Sequence, residues 1–223
     1  MKRMTVRLCI FDMDGTLIDS ERWYFGYAME TIKKNGFPVS EEFILSMMGS
    51  NVRRQEMMWT AEYGDLELYH RYHDEIRAHM EEYLKDHPIP LKKGVFELFD
   101  FLKKESIPIA LATSTSREEA KYRFRNEKLM SYFDFIVYGD DIGNSKPAPD
   151  IFLRSMEHFR ISPEDTVIFE DSGSGLLASH AAGAFTVYIP DIAPVFEEAE
   201  AAIGITLNDL GEGISLIRTL QKQ

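Results

Sequence analysis

Five short apolar runs, separated by longer amphipathic stretches, restrict the possible folds of this chain more than any other feature of its sequence. The runs are rich in β-branched residues and cover residues 6–11, 107–113, 134–138, 166–170 and 184–189. Continuous apolar runs of this length are typical of strands that are buried on both faces of a sheet. Because helical patterns lie between them, we predict an α/β fold with a doubly wound, Rossmann-like parallel sheet.

One segment interrupts this alternation. Residues 20–87 contain no convincing strand and consist of four helical stretches, near 20–35, 40–48, 51–63 and 66–86. The segment follows the first strand directly and ends in a turn-rich sequence, where prolines prevent a helix from continuing. We therefore predict an α/β core domain made of residues 1–19 and 88–223, with a helical cap domain of residues 20–87 inserted into it.

The charge balance argues against some classes of partner. The sequence has 25 Lys and Arg residues against 37 Asp and Glu residues, a formal net charge of −12. Because proteins that bind duplex nucleic acid depend on Lys and Arg contacts with phosphates, we expect no nucleic-acid partner.

Other features of the sequence bear on its location. Cys9 is the only cysteine, so an intrachain disulfide is excluded, and its place inside the first strand predicts a core residue. No apolar run approaches the roughly 20 residues of a membrane-spanning helix. Acidic residues also appear too early for a signal peptide. We expect a cytoplasmic protein without a membrane partner, and the sequence leaves the oligomeric state open, a monomer included.

Two carboxylates follow the first predicted strand. Asp12 and Asp14 are two residues apart in FDMDGTLIDS, and this spacing places their side chains on the same side of an extended backbone. Carboxylates held so close repel each other unless a cation lies between them or one is protonated. Gly15 allows a sharp turn after the pair, and Thr16 can stabilise it. A turn cap is the simpler interpretation, but the context favours a cation site.

Polar side chains also follow two other predicted strands. Thr113 and Ser114 come after the second strand, and Glu170 and Asp171 lie at the end of the fourth. The carboxyl ends of parallel strands meet at one edge of a doubly wound sheet, where ligands bind. Carboxylates gathered there predict Mg²⁺, which prefers oxygen ligands. Hydroxyl groups nearby, with Lys146 in a proline-restricted loop, indicate a phosphoryl group as the ligand.

The glycines after the fourth strand allow a second interpretation. The pattern Gly173-x-Gly175-x-x-Ala178, between a strand and a helix, imitates the dinucleotide-binding fingerprint. Glu170 and Asp171 directly precede these glycines and would repel a pyrophosphate. The strand also comes late in the chain, whereas the fingerprint normally opens its fold. We therefore expect no dinucleotide at this turn.

Four segments together resemble the motifs of the haloacid dehalogenase superfamily. They are FDMDGTLIDS, ALATSTS, GNSKPAPDIF and FEDSGSG, and their order and spacing cover nearly the whole chain. A helical insert directly after the first motif is similar to the cap of the subgroup that includes β-phosphoglucomutase and many sugar-phosphate phosphatases. The resemblance therefore implies a phosphoryl-transfer enzyme with a mobile helical cap.

The resemblance also implies a role for each motif residue. Asp12 would be the nucleophile and Asp14 the general acid and base, a role for which we expect a raised pKa. The residues that would hold the transferred phosphoryl group are Thr113, Ser114 and Lys146. Those that would bind Mg²⁺ are Asp12, Asp14 through its main-chain carbonyl, and Asp171, with Glu170 supporting them.

Two residues of the helical segment are candidates for substrate contact. Arg53 follows Gly49 in the region where the cap loop selects substrate in the resembling enzymes. A guanidinium there can grip a hydroxyl, a carboxylate or a second phosphate, although a solvated helix face explains Arg53 almost as well. β-Phosphoglucomutases have histidine at the position of Tyr24, and this departure favours a phosphatase over a mutase. A solvated or partner-packed helix face is the expected setting of His70, His73 and His79.

The resemblance leads us to expect Mg²⁺-dependent hydrolysis of small phosphorylated metabolites, with sugar phosphates as the first choice and an aspartyl-phosphate intermediate on Asp12. A β-phosphoglucomutase that interconverts β-glucose 1-phosphate and glucose 6-phosphate is the alternative within the enzyme class. A non-catalytic regulator that binds phosphorylated metabolites is an alternative from a different class.

Overall fold

The computed structural model describes residues 4–50 and 52–222 and contains a six-stranded parallel sheet in the order β3-β2-β1-β4-β5-β6. The strands are β1 (Leu8–Phe11), β2 (Ile109–Ala112), β3 (Phe135–Val137), β4 (Thr166–Glu170), β5 (Phe185–Tyr188) and β6 (Ile205–Thr206). This arrangement confirms the predicted doubly wound α/β fold. The sequence does not predict β6, because a strand of two residues is too short to form an apolar run.

Eleven α-helices are present in the described residues. The first four are α1 (Ser20–Asn35), α2 (Glu41–Met47), α3 (Val52–Tyr63) and α4 (Leu66–Tyr83). The others are α5 (Val95–Lys104), α6 (Arg117–Arg123), α7 (Glu127–Met130), α8 (Asp150–Phe159), α9 (Gly173–Ala181), α10 (Glu197–Glu200) and α11 (Gly213–Lys222). Within residues 4–50 and 52–222, none of these helices is long and apolar enough to cross a membrane.

Alternate residues of β1 face two separate cores, which explains why its sequence is continuously apolar. Leu8 and Ile10 pack with residues of α8 and α9 on one face of the sheet. Cys9 and Phe11 pack with residues of α5 and α11 on the other. All four residues have an exposed fraction of 0%, so the expected core position of Cys9 is confirmed. The rings of Phe11 and Phe169 stack with centroids 4.6 Å apart and join β1 to β4.

Helices α1 to α4, which we call the helical insert, have a core of their own. Trp59, Tyr69 and Tyr72 are fully buried at its centre. Ser40 caps the start of α2 by accepting a hydrogen bond from the Phe43 amide, and Gly36 ends α1 in the left-handed conformation. These helices therefore make most of their apolar contacts with one another.

The two chain connections between the insert and the sheet lie side by side. Ile18 and Leu91 form an antiparallel bridge. The Asp19 amide donates to the Pro90 carbonyl over 2.9 Å, and the Lys92 amide donates to the Leu17 carbonyl over 2.9 Å. The chain thus leaves and re-enters the sheet region at one place, close to the carboxyl end of β1.

Candidate active site

The predicted site residues lie at the carboxyl ends of the central strands. Asp12 follows β1, Thr113 follows β2 and Asp171 follows β4, and β1 lies between β2 and β4 in the sheet. One cavity of about 130 Å³ is bounded by the ends of these strands on one side and by the insert on the other. The predicted site residues that line it are Asp12, Asp14, Tyr24, Thr113, Ser114, Lys146 and Asp171.

Lys146 is buried between two carboxylates. Its Nζ lies 2.5 Å from Asp12 Oδ1 and 2.6 Å from Glu170 Oε1, and it also donates to the Ala112 carbonyl over 3.2 Å. Burial alone would lower the pKa of Lys146, but the two carboxylates outweigh burial and raise it. The ammonium group therefore stays charged and holds Asp12 in a fixed place.

Both oxygens of Glu170, the predicted supporting residue of the Mg²⁺ site, already have hydrogen-bond partners. Oε1 accepts from Lys146, and Oε2 accepts from the amides of Asp171 and Ser172 and from the Ser172 hydroxyl. A Cβ at Gly175 would lie 1.7 Å from Oε1, so the glycine makes room for this carboxylate. The geometry fits a residue that orients Lys146 and the loop after β4, rather than a direct metal ligand.

Asp14 is held by donors from three different segments. Ser20, the first residue of α1, donates to Oδ1 over 2.6 Å, Thr115 donates to Oδ2 over 2.6 Å, and Arg123 donates to Oδ1 over 3.1 Å. Burial raises the pKa of Asp14, but these contacts outweigh burial and hold it below the usual value. Our expectation of a raised pKa is therefore wrong, because it took account of the neighbouring carboxylates and not of Arg123.

The negative charge of the Asp12 and Asp171 carboxylates is not fully compensated by neighbouring cationic side chains. Burial is the main cause that raises the pKa of both groups. For Asp12, Lys146 opposes this rise and Glu170 adds to it, whereas for Asp171 repulsion from Glu170 and Asp12 adds to the rise. Lys146 pairs with Asp12 and with the buried Glu170, whereas no ion pair among the described residues reaches Asp171. A divalent cation next to Asp12 and Asp171 would compensate this excess of negative charge.

The donor set fits a small, hard cation. Within the described residues, no three His, Cys, Asp or Glu side chains are already arranged around a metal position. Mg²⁺ does not require such a cage, since it is commonly held by one or two carboxylates and keeps several waters. Asp12, Asp171 and the main-chain carbonyl of Asp14 supply oxygen ligands of this kind.

Thr16 links the turn after β1 to the loop after β4. The sequence predicts that its hydroxyl stabilises the turn, whereas in the structure the hydroxyl donates to Asp171 Oδ1 over 2.9 Å. Gly15 has a φ of +77°, and a Cβ there would lie 2.1 Å from Asp171 Oδ2. A side chain at Gly15 would thus displace Asp171, so the glycine makes space for the carboxylate opposite it.

The two hydroxyl residues after β2 lie in a tight turn. Thr113 is buried, and its Oγ1 accepts a hydrogen bond from the Thr115 amide over 3.1 Å. This leaves the hydroxyl proton of Thr113 available for another acceptor. Ser114 is half-buried and lines the cavity beside it. The turn therefore presents hydroxyl groups toward the space in front of Asp12.

The insert provides the other wall of the cavity. Tyr24 lies in this wall, and burial raises its pKa to about 12. The Tyr24 hydroxyl is buried beside the hydroxyl of Tyr72. Arg53, in contrast, is exposed on α3 and is not among the described residues that line the cavity. The structure therefore places Tyr24 in the site and Arg53 outside it.

Sequence reasoning did not identify several further residues of the cavity. Arg123, Glu21 and His73 all line it, and burial lowers the pKa of His73. His73 is half-buried against the site, so of the two expected settings this histidine has the packed one and not the solvated one. Glu21 follows the first motif closely and could have been suspected from its position. No sequence motif near Arg123 or His73 indicates that they line the cavity, because only the packing of α6 and α4 brings them there.

The insert touches the sheet region at the rim of the cavity. The hydroxyl of Ser174, in the first turn of α9, donates to the Gly49 carbonyl over 2.9 Å. Gly49 has a φ of +67°, and a Cβ there would lie 2.6 Å from Ser172 Cβ. This close approach lets the loop between α2 and α3 cover the loop after β4.

Comparison with known proteins places the chain in a family. The family of haloacid dehalogenase-like hydrolases matches residues 9–189. The chain belongs to this family. The four haloacid dehalogenase-like motifs recognised in the sequence thus correspond to the residues gathered around the cavity, and the resemblance is confirmed.

Individual haloacid dehalogenase-like relatives cover most of the chain. A phosphorylated carbohydrates phosphatase from Thermotoga maritima is 39% identical over 183 residues, which are 80% of this chain and 82% of the relative. A (DL)-glycerol-3-phosphatase from Arabidopsis thaliana is 29% identical over 197 residues, covering 85% and 81% of the two chains. The crystal structure of a candidate β-phosphoglucomutase from Thermotoga maritima is 32% identical, covers 96% of this chain and 99% of its own, and has a TM-score of 0.71.

Proposed function

We propose that this chain is a Mg²⁺-dependent phosphatase of small phosphorylated metabolites, with sugar phosphates as its substrates. The observation that carries the proposal is the placement of Asp12 between the buried Lys146 and an open cavity at the carboxyl edge of the sheet. The family's relatives with phosphatase names support the reaction class. The phosphorylated carbohydrates phosphatase supports sugar phosphates in particular.

Asp12 is the proposed nucleophile. Its carboxylate oxygen forms a bond to phosphorus while the bond from phosphorus to the sugar oxygen breaks, which leaves an aspartyl-phosphate. Lys146 fixes the orientation of Asp12 and supplies positive charge beside the phosphoryl oxygens. Thr113 and Ser114 line the same space and donate hydrogen bonds to those oxygens.

Asp14 is the proposed general acid and base. It gives a proton to the leaving sugar oxygen in the first step and takes one from the attacking water in the second, which releases inorganic phosphate. Its contacts with Ser20, Thr115 and Arg123 stabilise the ionised form, which is the form needed to activate water. To protonate the leaving group, Asp14 first has to take up a proton from water, as the substrate oxygen replaces these donors.

The proposed metal ligands are Asp12, Asp171 and the main-chain carbonyl of Asp14. A bound Mg²⁺ would neutralise charge on the phosphoryl group and on the carboxylates around it. Thr16 holds Asp171 in place for this role, and Glu170 holds Lys146 at the right distance from Asp12. Asp12 and Asp171 thus each have a neighbour that fixes the orientation of the carboxylate.

The side of the cavity formed by the insert carries polar groups that can bind sugar hydroxyls. Glu21, Tyr24 and His73 place a carboxyl group, a hydroxyl group and an imidazole on the side of the cavity opposite Asp12 and Thr113. These groups can donate to or accept from sugar hydroxyls. The contact of Gly49 with Ser174 closes the rim and limits access of bulk water.

Phosphate release from a panel of sugar monophosphates tests the proposal. We expect turnover with Mg²⁺ that is lost in a chelator and reduced at least about 1,000-fold in Asp12→Asn. Exposed Asp86→Asn, at the end of the insert, is the matched control and should behave like the wild type. Acid-quenched wild-type protein should carry covalent phosphate that Asp12→Asn lacks. Normal turnover by Asp12→Asn would contradict the proposal.

A mutase is the second candidate, supported by the 32% identical candidate β-phosphoglucomutase structure. Incubation with β-glucose 1-phosphate separates the two activities. Free phosphate supports the phosphatase, whereas glucose 6-phosphate without free phosphate supports the mutase. Binding of phosphorylated metabolites without any turnover would instead favour a non-catalytic regulator.

A further inference from the structure

Asp191 is a buried carboxylate that the reaction described above does not use. It lies just beyond the carboxyl end of β5, the strand next to β4, and therefore at the same edge of the sheet as Asp171. Its side chain is 1% exposed. Oδ1 accepts from Lys92 Nζ over 2.7 Å. Oδ2 is also buried but has no hydrogen-bond partner within residues 4–50 and 52–222.

The unpartnered oxygen of Asp191 and a carboxylate oxygen of Asp171 both lie close to Gly15. The position that a Cβ would take on Gly15 lies 2.1 Å from Asp171 Oδ2 and 3.1 Å from Asp191 Oδ2. The two carboxylate oxygens are therefore no farther apart than the sum of these distances. Gly15 also follows Asp14, whose main-chain carbonyl is a proposed metal ligand. The unpartnered oxygen thus lies beside two of the proposed ligands.

We infer that Asp191 is a further acidic residue of the metal site, and that it accepts a hydrogen bond from water bound to a divalent cation held by Asp171. The inference rests on the Mg²⁺ of the proposed function. Mg²⁺ dehydrates reluctantly and keeps several of its waters, so a protein site has to supply acceptors for them. A buried carboxylate oxygen without a partner supplies such an acceptor, and groups of this kind change metal affinity strongly.

Lys92 sets how much negative charge Asp191 contributes. Its ammonium group lies 2.7 Å from Asp191 Oδ1 and 3.6 Å from Asp19 Oδ1, while Arg22 is farther away, at 3.9 Å from Asp191. One oxygen of Asp191 is therefore neutralised by Lys92, and the other faces Gly15 and Asp171. If Asp191 served only to pair with Lys92, replacing either residue would change the Mg²⁺ affinity in the same way. If Asp191 serves the cation, replacing Asp191 weakens Mg²⁺ binding and replacing Lys92 strengthens it.

Calorimetric titration with Mg²⁺ distinguishes these cases without measuring turnover. For Asp191→Asn we expect the dissociation constant of Mg²⁺ to rise about 10-fold, because an acidic acceptor is lost. For Lys92→Met we expect it to fall severalfold, because a competing cation is removed. The matched control is Asp209→Asn, since Asp209 pairs with the neighbouring Lys93 over 2.6 Å and no hydrogen bond or ion pair in the described residues joins it to the cavity. The dissociation constant of Mg²⁺ for Asp209→Asn should stay within about 2-fold of the wild-type value.

The outcomes separate this inference from the proposed function. Wild-type protein that binds Mg²⁺ while Asp191→Asn binds it equally well overturns the role of Asp191 and leaves the phosphatase proposal intact. Lys92→Met with unchanged or weaker Mg²⁺ affinity also counts against the inference, and this variant decides the matter if Asp191→Asn does not fold. Wild-type protein that binds no Mg²⁺ overturns both proposals.

Discussion

Arg123 donates a hydrogen bond to Asp14 over 3.1 Å and thereby joins α6 to the loop that follows β1. The same oxygen of Asp14 accepts from Ser20, where the insert begins. One carboxylate oxygen thus connects the sheet, a helix beside it and the insert. Both the orientation and the ionisation of Asp14 depend on residues that are distant from it in the sequence.

Replacement of Arg123 should impair turnover through Asp14. We expect Arg123→Met to lower kcat about 10- to 100-fold, because Asp14 loses a donor that orients it. Arg123 helps to lower the pKa of Asp14, so its loss raises that pKa and moves the acid limb of the kcat profile to higher pH. Exposed Lys121→Met, on the same helix, is the control. A pH profile of kcat that is identical in the two variants would contradict the role of Arg123.

A methyl group at Gly175 should disturb the pair of Glu170 and Lys146. The added Cβ would overlap the Glu170 carboxylate, so we expect Gly175→Ala to lower the free energy of unfolding by about 1 to 3 kcal/mol and to reduce turnover. Gly26, in the exposed part of α1, has no atom within 4 Å of the added Cβ. Gly26→Ala should raise the free energy of unfolding by about 0.5 to 1 kcal/mol. Urea unfolding measures both, and stabilisation by Gly175→Ala would refute the expected clash.

The ionisation of Glu21 should make stability depend on pH. Burial, followed by repulsion from Asp14, raises the pKa of Glu21 from 4.5 to about 8. Between these values the folded protein keeps a proton that the unfolded chain releases, so Glu21 lowers the free energy of unfolding as pH rises through this window.

The variant Glu21→Gln tests this pH dependence. Because Gln cannot ionise, we expect the variant to gain about 2 to 4 kcal/mol of stability relative to the wild type between pH 5 and pH 9, measured by urea unfolding in a chelator. Exposed Glu30→Gln, also on α1, should show no such gain. A stability difference that is constant over this pH range would exclude a raised pKa for Glu21.

Magnesium should stabilise the folded protein through Asp12 and Asp171. At a Mg²⁺ concentration 100 times the dissociation constant, binding adds about 2.7 kcal/mol to the free energy of unfolding. The raised pKa values of these carboxylates mean that protons compete with the cation, so the gain should be larger at pH 8 than at pH 5.5. Thermal unfolding with and without Mg²⁺ measures this gain in stability. We expect Asp171→Asn to lose most of the gain and Asp86→Asn to keep it.

Features encoded by neighbouring residues could be predicted from the sequence. The apolar runs predicted five of the strands, and β1, β2 and β4 are buried along their whole length. The motif residues could be placed at one edge because each directly follows a strand or a short loop. The helical stretches of the insert were predicted close to their observed bounds, since capping residues such as Ser40 lie next to them in the sequence.

Features that depend on long-range packing could not be predicted. The contact of Arg123 with Asp14 spans 109 residues, and nothing near either residue indicates it. The expected pKa of Asp14 was wrong for that reason. The sequence does not indicate Asp191 as a site residue, because the residues around it form no motif. Strand β5 nevertheless brings it to the same edge of the sheet as Asp171. A helix pattern alone likewise could not decide that Arg53 faces solvent.

The burial of Cys9 gives the protein a thiol that can report on unfolding. This only cysteine of the sequence lies in β1, three residues before Asp12, and its exposed fraction is 0%. Burial also raises its pKa well above the usual value, which suppresses the reactive thiolate. Thiol reagents and mild oxidants should therefore leave the folded protein unmodified. Covalent labelling of Cys9 would then proceed only as fast as β1 separates from its neighbours, so its rate measures how often the strand that carries Asp12 opens to solvent.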